Sequence, residues 1–185
     1  MSKGSLFVIS GASGVGKSTV LKLVMEARQD LLFSVSATTR QMRPGEVDGV
    51  NYYYITREEF EDRIRRGEFL EYDEHNGTLY GTLNGQIREK LTRGNVILDV
   101  EPVGAGNVRK AYPDATLIFI MPPSRQELEE RLRGRGDTSQ EQIRLRLDRA
   151  EWEIEQKDWY DYVVVNRRAQ TCAEEILRII AEKAD

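Results

Sequence analysis

The chain has 185 residues, 31% of them charged and 39% apolar, with 27 Lys and Arg against 31 Asp and Glu for a formal charge of −4. That length suits one domain with a proper core, and the negative balance argues against general nucleic-acid binding. The single cysteine, Cys172, excludes an internal disulfide; with no apolar run of about 18 residues and no signal-peptide pattern, a cytoplasmic setting without membrane contact is expected.

Residues 6–10, "LFVIS", read as a buried strand. The next eight, Gly11-Ala12-Ser13-Gly14-Val15-Gly16-Lys17-Ser18, complete the pattern G-x-x-x-x-G-K-[ST]. Its glycines let backbone amides converge on phosphate oxygens, and the helix starting near Lys17 adds its positive end. Lys17 reaches the outer phosphates, and the Ser18 hydroxyl can join a Mg2+ shell. A strand before the loop and a helix over 18–28 after it, with apolar Val20, Leu21, Val24 and Ala27, separate this loop from a chance glycine-rich connection.

The segment 33–87 differs in character, with short strands, many tyrosines and several glycines, and reads as an insertion beside the nucleotide core. Strands are expected over 32–36, 51–55, 69–74 and 78–82, with a helix over 57–66 opened by Thr56-x-x-Glu59 and stopped by Gly67. Within "SVSATTRQMRPGEVDGVNYYYI", Arg40 and Arg43 stand three apart before a Pro-Gly turn, followed by Tyr52. Two guanidiniums and a phenol suit a phosphate monoester; on spacing alone they suit a solvated basic loop equally well. Glu71 lies on an alternating strand, where an exposed acid is the default.

A helix over 84–93 leads to "NVILDV", an apolar strand whose Asp99 is suited to hold Mg2+ through water beside the loop. A strand over 115–121 is followed by a helix capped by Ser124-x-x-Glu127, the loop "RGRGD", and a long helix capped by Thr138-x-x-Glu141. The last strand and helix are expected at 162–166 and 170–183. Apolar strands alternating with helices give an α/β class with a parallel sheet flanked by helices. The strings D-x-x-G and N-K-x-D of a GTPase are missing, as are H-R-D and D-F-G of a protein kinase. One histidine and one cysteine leave a zinc site or a Cys/His nucleophile improbable.

Taken in order, "GASGVGKST", S-x-T-T-R-x-x-R-x-G-E, G-x-x-Y, F-L-E, G-x-x-Y-G-T and R-L-x-x-R-G resemble the guanylate kinases over nearly the whole chain. The resemblance implies an ATP:(d)GMP phosphotransferase with a P-loop NTPase-type core over about 1–32, 88–124 and 150–185. It also implies a mixed α/β GMP-binding insertion over about 33–87 and a helical lid over about 125–149. ATP would be held by the loop through Ser18 and Thr19, with Arg131 and Arg135 of the lid. Arg40, Arg43, Tyr52 and Tyr80 would bind the GMP phosphate, and Ser36, Glu71, Thr82 and Glu101 would face guanine. Lys17, Arg40, Arg135 and Arg146 would stabilise the transferring group, with Mg2+ at Ser18 and Asp99.

A Glu71 carboxylate would accept from guanine N1–H and N2–H together, whereas adenine would leave its charge unpaired. The chain departs from the family after Asp99, reading Asp99-Val100-Glu101-Pro102-Val103-Gly104 where Asp-x-Asp-x-Gln-Gly is frequent. Arg167 follows Asn166 where an acid is common. Rival readings are a kinase for another phosphorylated acceptor, which needs no Glu71 or Ser36, and a non-catalytic protein-binding module, which would lose the loop. The implied partners are ATP and GMP or dGMP, with no nucleic acid and no membrane; a homo-oligomer is left open.

Overall fold

A computed structural model describes residues 4–75, 77–133 and 139–184. The chain runs β1 (Leu6–Gly11), α1 (Lys17–Ala27), β2 (Leu32–Phe33), β3 (Ala37–Thr38), β4 (Tyr53–Tyr54) and α2 (Arg57–Arg65). It continues through β5 (Phe69–His75), β6 (Thr78–Leu83), α3 (Asn84–Leu91), β7 (Val96–Asp99), α4 (Pro102–Ala111) and β8 (Thr116–Met121). The last elements are α5 (Arg125–Arg133), α6 (Gln140–Glu155), a 3-10 turn (Gln156–Trp159), β9 (Tyr162–Val165) and α7 (Ala169–Lys183).

Five strands form a parallel sheet in the order β2-β7-β1-β8-β9. All six residues of β1 are buried, because helices cover both faces. Phe7 and Ile9 join a core with Val20 and Val24 of α1 and Ile176 of α7, while Leu6 and Val8 join another with Ile87 of α3 and Val108 of α4. This two-sided burial makes the strand a continuous apolar run instead of an alternating one. Val20, Leu21 and Val24 are buried as the helical spacing indicates, but Ala27, in the last turn, is exposed.

The second sheet is mixed, in the order β4-β3-β6-β5, with β3 parallel to β4 and the other pairs antiparallel. It has its own small core, where Phe60 of α2 stacks on Phe69 with ring centroids 4.2 Å apart. The stretch 32–36 is therefore not one strand. The Ser34 N–H donates to the Ile97 carbonyl at 2.8 Å, the last tie to the first sheet, and three residues later β3 pairs with β6. The expected strand at 51–55 shortens to β4.

Local capping explains the helix boundaries. The Glu59 N–H donates to Thr56 Oγ1 at 3.1 Å, and Gly67, at φ 66°, ends the helix as a left-handed residue. At α6 the cap is Ser139, with a reciprocal box to Gln142, one residue later than the sequence signal. Ser139 has the extended backbone a cap requires, and Thr138 lies outside the described residues. No helix among the described residues is long and apolar enough to cross a membrane.

Candidate active site

The glycine-rich loop leaves the end of β1 and enters α1 at Lys17, with Gly14 and Gly16 at φ 82° and 90°. These left-handed turns suit glycine, and three amides of the loop meet acceptors within the protein: Ala12 at the Ile120 carbonyl, Ser13 at Glu153 and Val15 at the Ala12 carbonyl. The loop is braced from outside. Asn166 donates from Nδ2 to the Val15 carbonyl at 2.8 Å, and Arg131 donates to the Val15 and Asn166 carbonyls at 3.2 and 3.0 Å. Glu153, only 2% exposed, accepts from the Ser13 N–H at 2.6 Å. Burial outweighs that hydrogen bond and one from Arg149, and lifts the Glu153 carboxyl above its ordinary range.

Lys17 forms an ion pair with Asp99 at the end of β7. Burial works to lower the Lys17 pKa, but Asp99 outweighs it, with Glu101 and Glu153 adding, so the ammonium stands above its ordinary value. The two residues line a cleft of about 390 Å³ that also reaches Ser36, Tyr52, Glu71 and Tyr80. The first turn of α4 contributes Glu101, Val103 and Gly104 to the same cleft, and α6 contributes Arg149. Residues expected on the donor side and residues expected on the acceptor side, far apart in sequence, thus line one space.

Glu71 lies on β5 opposite Thr82 of β6, against the start of α4. A Cβ at Gly104 would come within 2.8 Å of Glu71 Oε2, so the glycine makes room for the carboxylate. Burial raises the Glu71 pKa; the Thr82 side chain and amide pull it back, and the charges of Glu101 and Asp73 push it up again. The default of an exposed strand acid does not hold here. Thr82 is itself fully buried behind Glu71.

Tyr52 and Tyr80 pack edge to face with centroids 5.9 Å apart, and burial holds the Tyr52 phenol above its ordinary pKa. Arg40 sits 5.5 Å from the Tyr52 ring but points its fork at Glu46, donating at 3.0 and 2.7 Å. Glu46 also accepts from the Arg43 N–H at 2.7 Å and the Tyr54 hydroxyl at 2.8 Å. Arg40 first, then the Arg43 N–H, hold the Glu46 carboxyl down to about 2. Thr38 and Thr39 explain the Thr-Thr-Arg string: each side chain hydrogen-bonds Leu79 of β6, which fixes the start of the arginine loop.

Not every expected residue meets the cleft. Ser18 and Thr19 are exposed on the first turn of α1, and the Arg43 side chain is exposed on its loop. Arg146 is partly buried on α6. Arg131 engages loop carbonyls as described. Arg135 lies outside the described residues.

Sequence reasoning missed Arg149, Asp73, Glu46 and Glu153. Glu153 left a readable signal: Ile143, Leu147, Ala150 and Glu153 are the buried positions of α6, so an acid stood on the apolar stripe.

The sequence model of the guanylate kinase family matches residues 3–183. Guanylate kinase of Thermus thermophilus is 49% identical over 179 residues, covering 96% of this chain and 81% of that protein. Guanylate kinase of Oceanobacillus iheyensis is 48% identical, covering 96% and 87%. Among solved structures, guanylate kinase from Anaplasma phagocytophilum superposes with a TM-score of 0.79 at 32% identity, covering 98% of this chain and 87% of that one.

Proposed function

This chain belongs to the guanylate kinase family of ATP:GMP phosphotransferases, and from that premise we propose that transfer to GMP and dGMP runs in line across the cleft between the phosphate loop and the second sheet. The observation that best supports this reading is that one cleft is lined both by Lys17 and Asp99, from the loop and the first sheet, and by Glu71, Tyr52 and Tyr80, from the inserted segment. The acceptor residues assigned here meet phosphate and base, so dGMP is a second acceptor. The cytoplasm is the proposed setting.

In-line transfer between two polyanions needs alignment and charge neutralisation, with no general base, since the acceptor phosphate is already an anionic nucleophile. The loop from Gly11 to Ser18, through its amides at Gly14, Gly16, Lys17 and Ser18, and the start of α1 bind the ATP phosphates. Lys17 turns from Asp99 to the bridging and outer oxygens. The Ser18 hydroxyl and the Asp99 carboxylate are hard oxygen donors, the chemistry Mg2+ takes. When bound there, Mg2+ supplies charge neutralisation on the phosphate oxygens.

On the acceptor side, Glu46 keeps the Arg40 guanidinium oriented. Arg40 and Arg43 with the phenol hydroxyls of Tyr52 and Tyr80 donate to the GMP phosphate. Glu71 accepts from guanine N1–H and N2–H, with Ser36, Thr82 and Glu101 beside it. Arg131, Arg135 and Arg146 belong to a lid over about 125–149 that closes on the insertion at 33–87, gathers positive charge at the transferring group and excludes water.

An ADP-release assay across GMP, dGMP, AMP, CMP and UMP, with and without Mg2+, tests the reading. Turnover is expected with GMP and dGMP alone, and only with Mg2+. Comparable turnover with AMP would assign the acceptor wall to another base.

A further inference from the structure

Resting on that reading, we propose that Arg149 is a positioning residue that couples the two nucleotide sites, by tying the phosphate loop to the acceptor wall. Glu153 divides its carboxylate between two partners. Oε2 accepts from the Ser13 N–H of the loop at 2.6 Å, and Oε1 accepts from Arg149 Nε at 3.1 Å. The same guanidinium donates from Nη2 to Glu101 Oε2. Glu101 is the residue that opens α4, and Gly104 of that helix lies against the Glu71 carboxylate. A line of direct contacts thus runs from Ser13 through Glu153, Arg149 and Glu101 to the helix behind the base-reading acid.

The chemistry of each link favours transmission. Glu153 is buried, so its charge stays compensated only while Arg149 and Ser13 remain in place. The guanidinium is planar and rigid, with donors on more than one edge, so displacing Glu101 at one edge turns the edge that meets Glu153. Lysine would supply the charge as a point without the two-edged geometry. Base binding at Glu71 and Glu101 therefore presets Ser13, and phosphate binding at the loop presets Glu101. Equilibrium coupling of this kind is reciprocal.

The test is titration calorimetry of GMP with and without an unreactive ATP analogue, on the parent, Arg149→Lys, Glu153→Gln and the double variant. In the parent, the analogue should tighten GMP by at least about fivefold, and GMP should tighten the analogue equally. Arg149→Lys keeps the charge beside Glu153, and Glu153→Gln keeps an acceptor for Ser13. Each should bring that ratio below about twofold, with each nucleotide alone bound near its parental affinity. The double variant should lose no more than either single one. A merely structural role would instead weaken both affinities and leave their ratio unchanged. Absence of coupling in the parent, or undiminished coupling in Arg149→Lys, overturns the proposal. Turnover of GMP by the same preparations separates the two readings: active enzyme with unchanged ratios sinks the relay alone, while a parent inert toward GMP sinks the acceptor assignment and the relay with it.

Discussion

The phosphate loop sits between a strand buried at all six residues and an eleven-residue helix, whereas the arginine loop of the acceptor side hangs between strands of two residues each. Most of the proposed donor surface is backbone, a loop turned by two left-handed glycines. The proposed acceptor surface is side chain, drawn from Tyr52 just before β4, from β5 and β6 and from the start of α4, and held by contacts inside the protein, such as Arg40 on Glu46 and Glu71 against Gly104. A backbone site tolerates change at most positions and fails at few. A side-chain site is selective, and each of its groups must stay balanced while empty.

The most severe test of that contrast is Lys17→Ala, which removes the side-chain charge that the loop itself brings to the donor end. A fall in kcat of about a thousandfold is expected, with circular dichroism unchanged, because Lys17 acts on charge that develops in transfer. A folded variant with near-parental kcat would show that the loop is not the catalytic site. On the proposed acceptor side, Glu71→Gln replaces one acceptor by an amide donor that faces another donor. A loss of about 3 kcal/mol, or roughly a hundredfold in kcat/KM for GMP, should follow, with the affinity for an ATP analogue in the absence of GMP nearly constant. Parental activity in this variant would return Glu71 to the status of a bystander.

Gly104→Ala probes the same acid without touching it. The new Cβ would stand 2.8 Å from Oε2 and 3.2 Å from two carbons of Glu71, so the carboxylate must move. A drop of about tenfold in kcat/KM for GMP is expected, equivalent to about 1.4 kcal/mol. Thermal stability should hold, since alanine gains about 1 kcal/mol over glycine inside a helix. If binding of an ATP analogue in the absence of GMP weakens as much as kcat/KM for GMP falls, the strain has spread through α4 to the loop itself and the division between the two sides is wrong.

The same division governs what the sequence discloses. The loop, its flanking strand and helix, and the Thr56 cap are contiguous, so each can be read from neighbouring letters. The break between Phe33 and Ala37 cannot, because it is decided by partners at Ile97 and Gly81 that are distant along the chain. Tyr80 and the base-facing role of Glu71 enter through resemblance, and on spacing alone Arg40, Arg43 and Tyr52 suit a solvated loop as well. Arg149 is hidden among Arg144 and Arg146 on one helix, where only tertiary contact with Glu101 distinguishes it. Glu46 lies in the Pro-Gly turn, where an acid is ordinary; its role appears only when Arg40, Arg43 and Tyr54 converge on it.

The smallest effect concerns stability, and its sign distinguishes a selective site from a merely acidic surface. Burial, reinforced by Glu101 and Asp73, raises the folded-state pKa of Glu71 above the ordinary carboxylate value, against a weaker pull from Thr82. The folded protein therefore holds this proton at pH values where the unfolded chain has released it. Its contribution to stability is complete below the unfolded pKa of about 4.3 and is lost as pH rises through the folded value. At neutral pH the empty enzyme thus carries an unfavourable carboxylate that guanine would satisfy. Glu71→Gln removes that burden while damaging function, the expected trade at a binding site. Its melting temperature without ligand should exceed the parent's by about 2–4 °C at pH 8, the shift that about 1 kcal/mol produces in a chain of this size. The advantage should shrink toward zero as the pH approaches 4. A difference that is flat across that range, or a parent that melts higher at pH 8, would mean that Glu71 is well solvated when the cleft is empty and that its selectivity has no cost in stability.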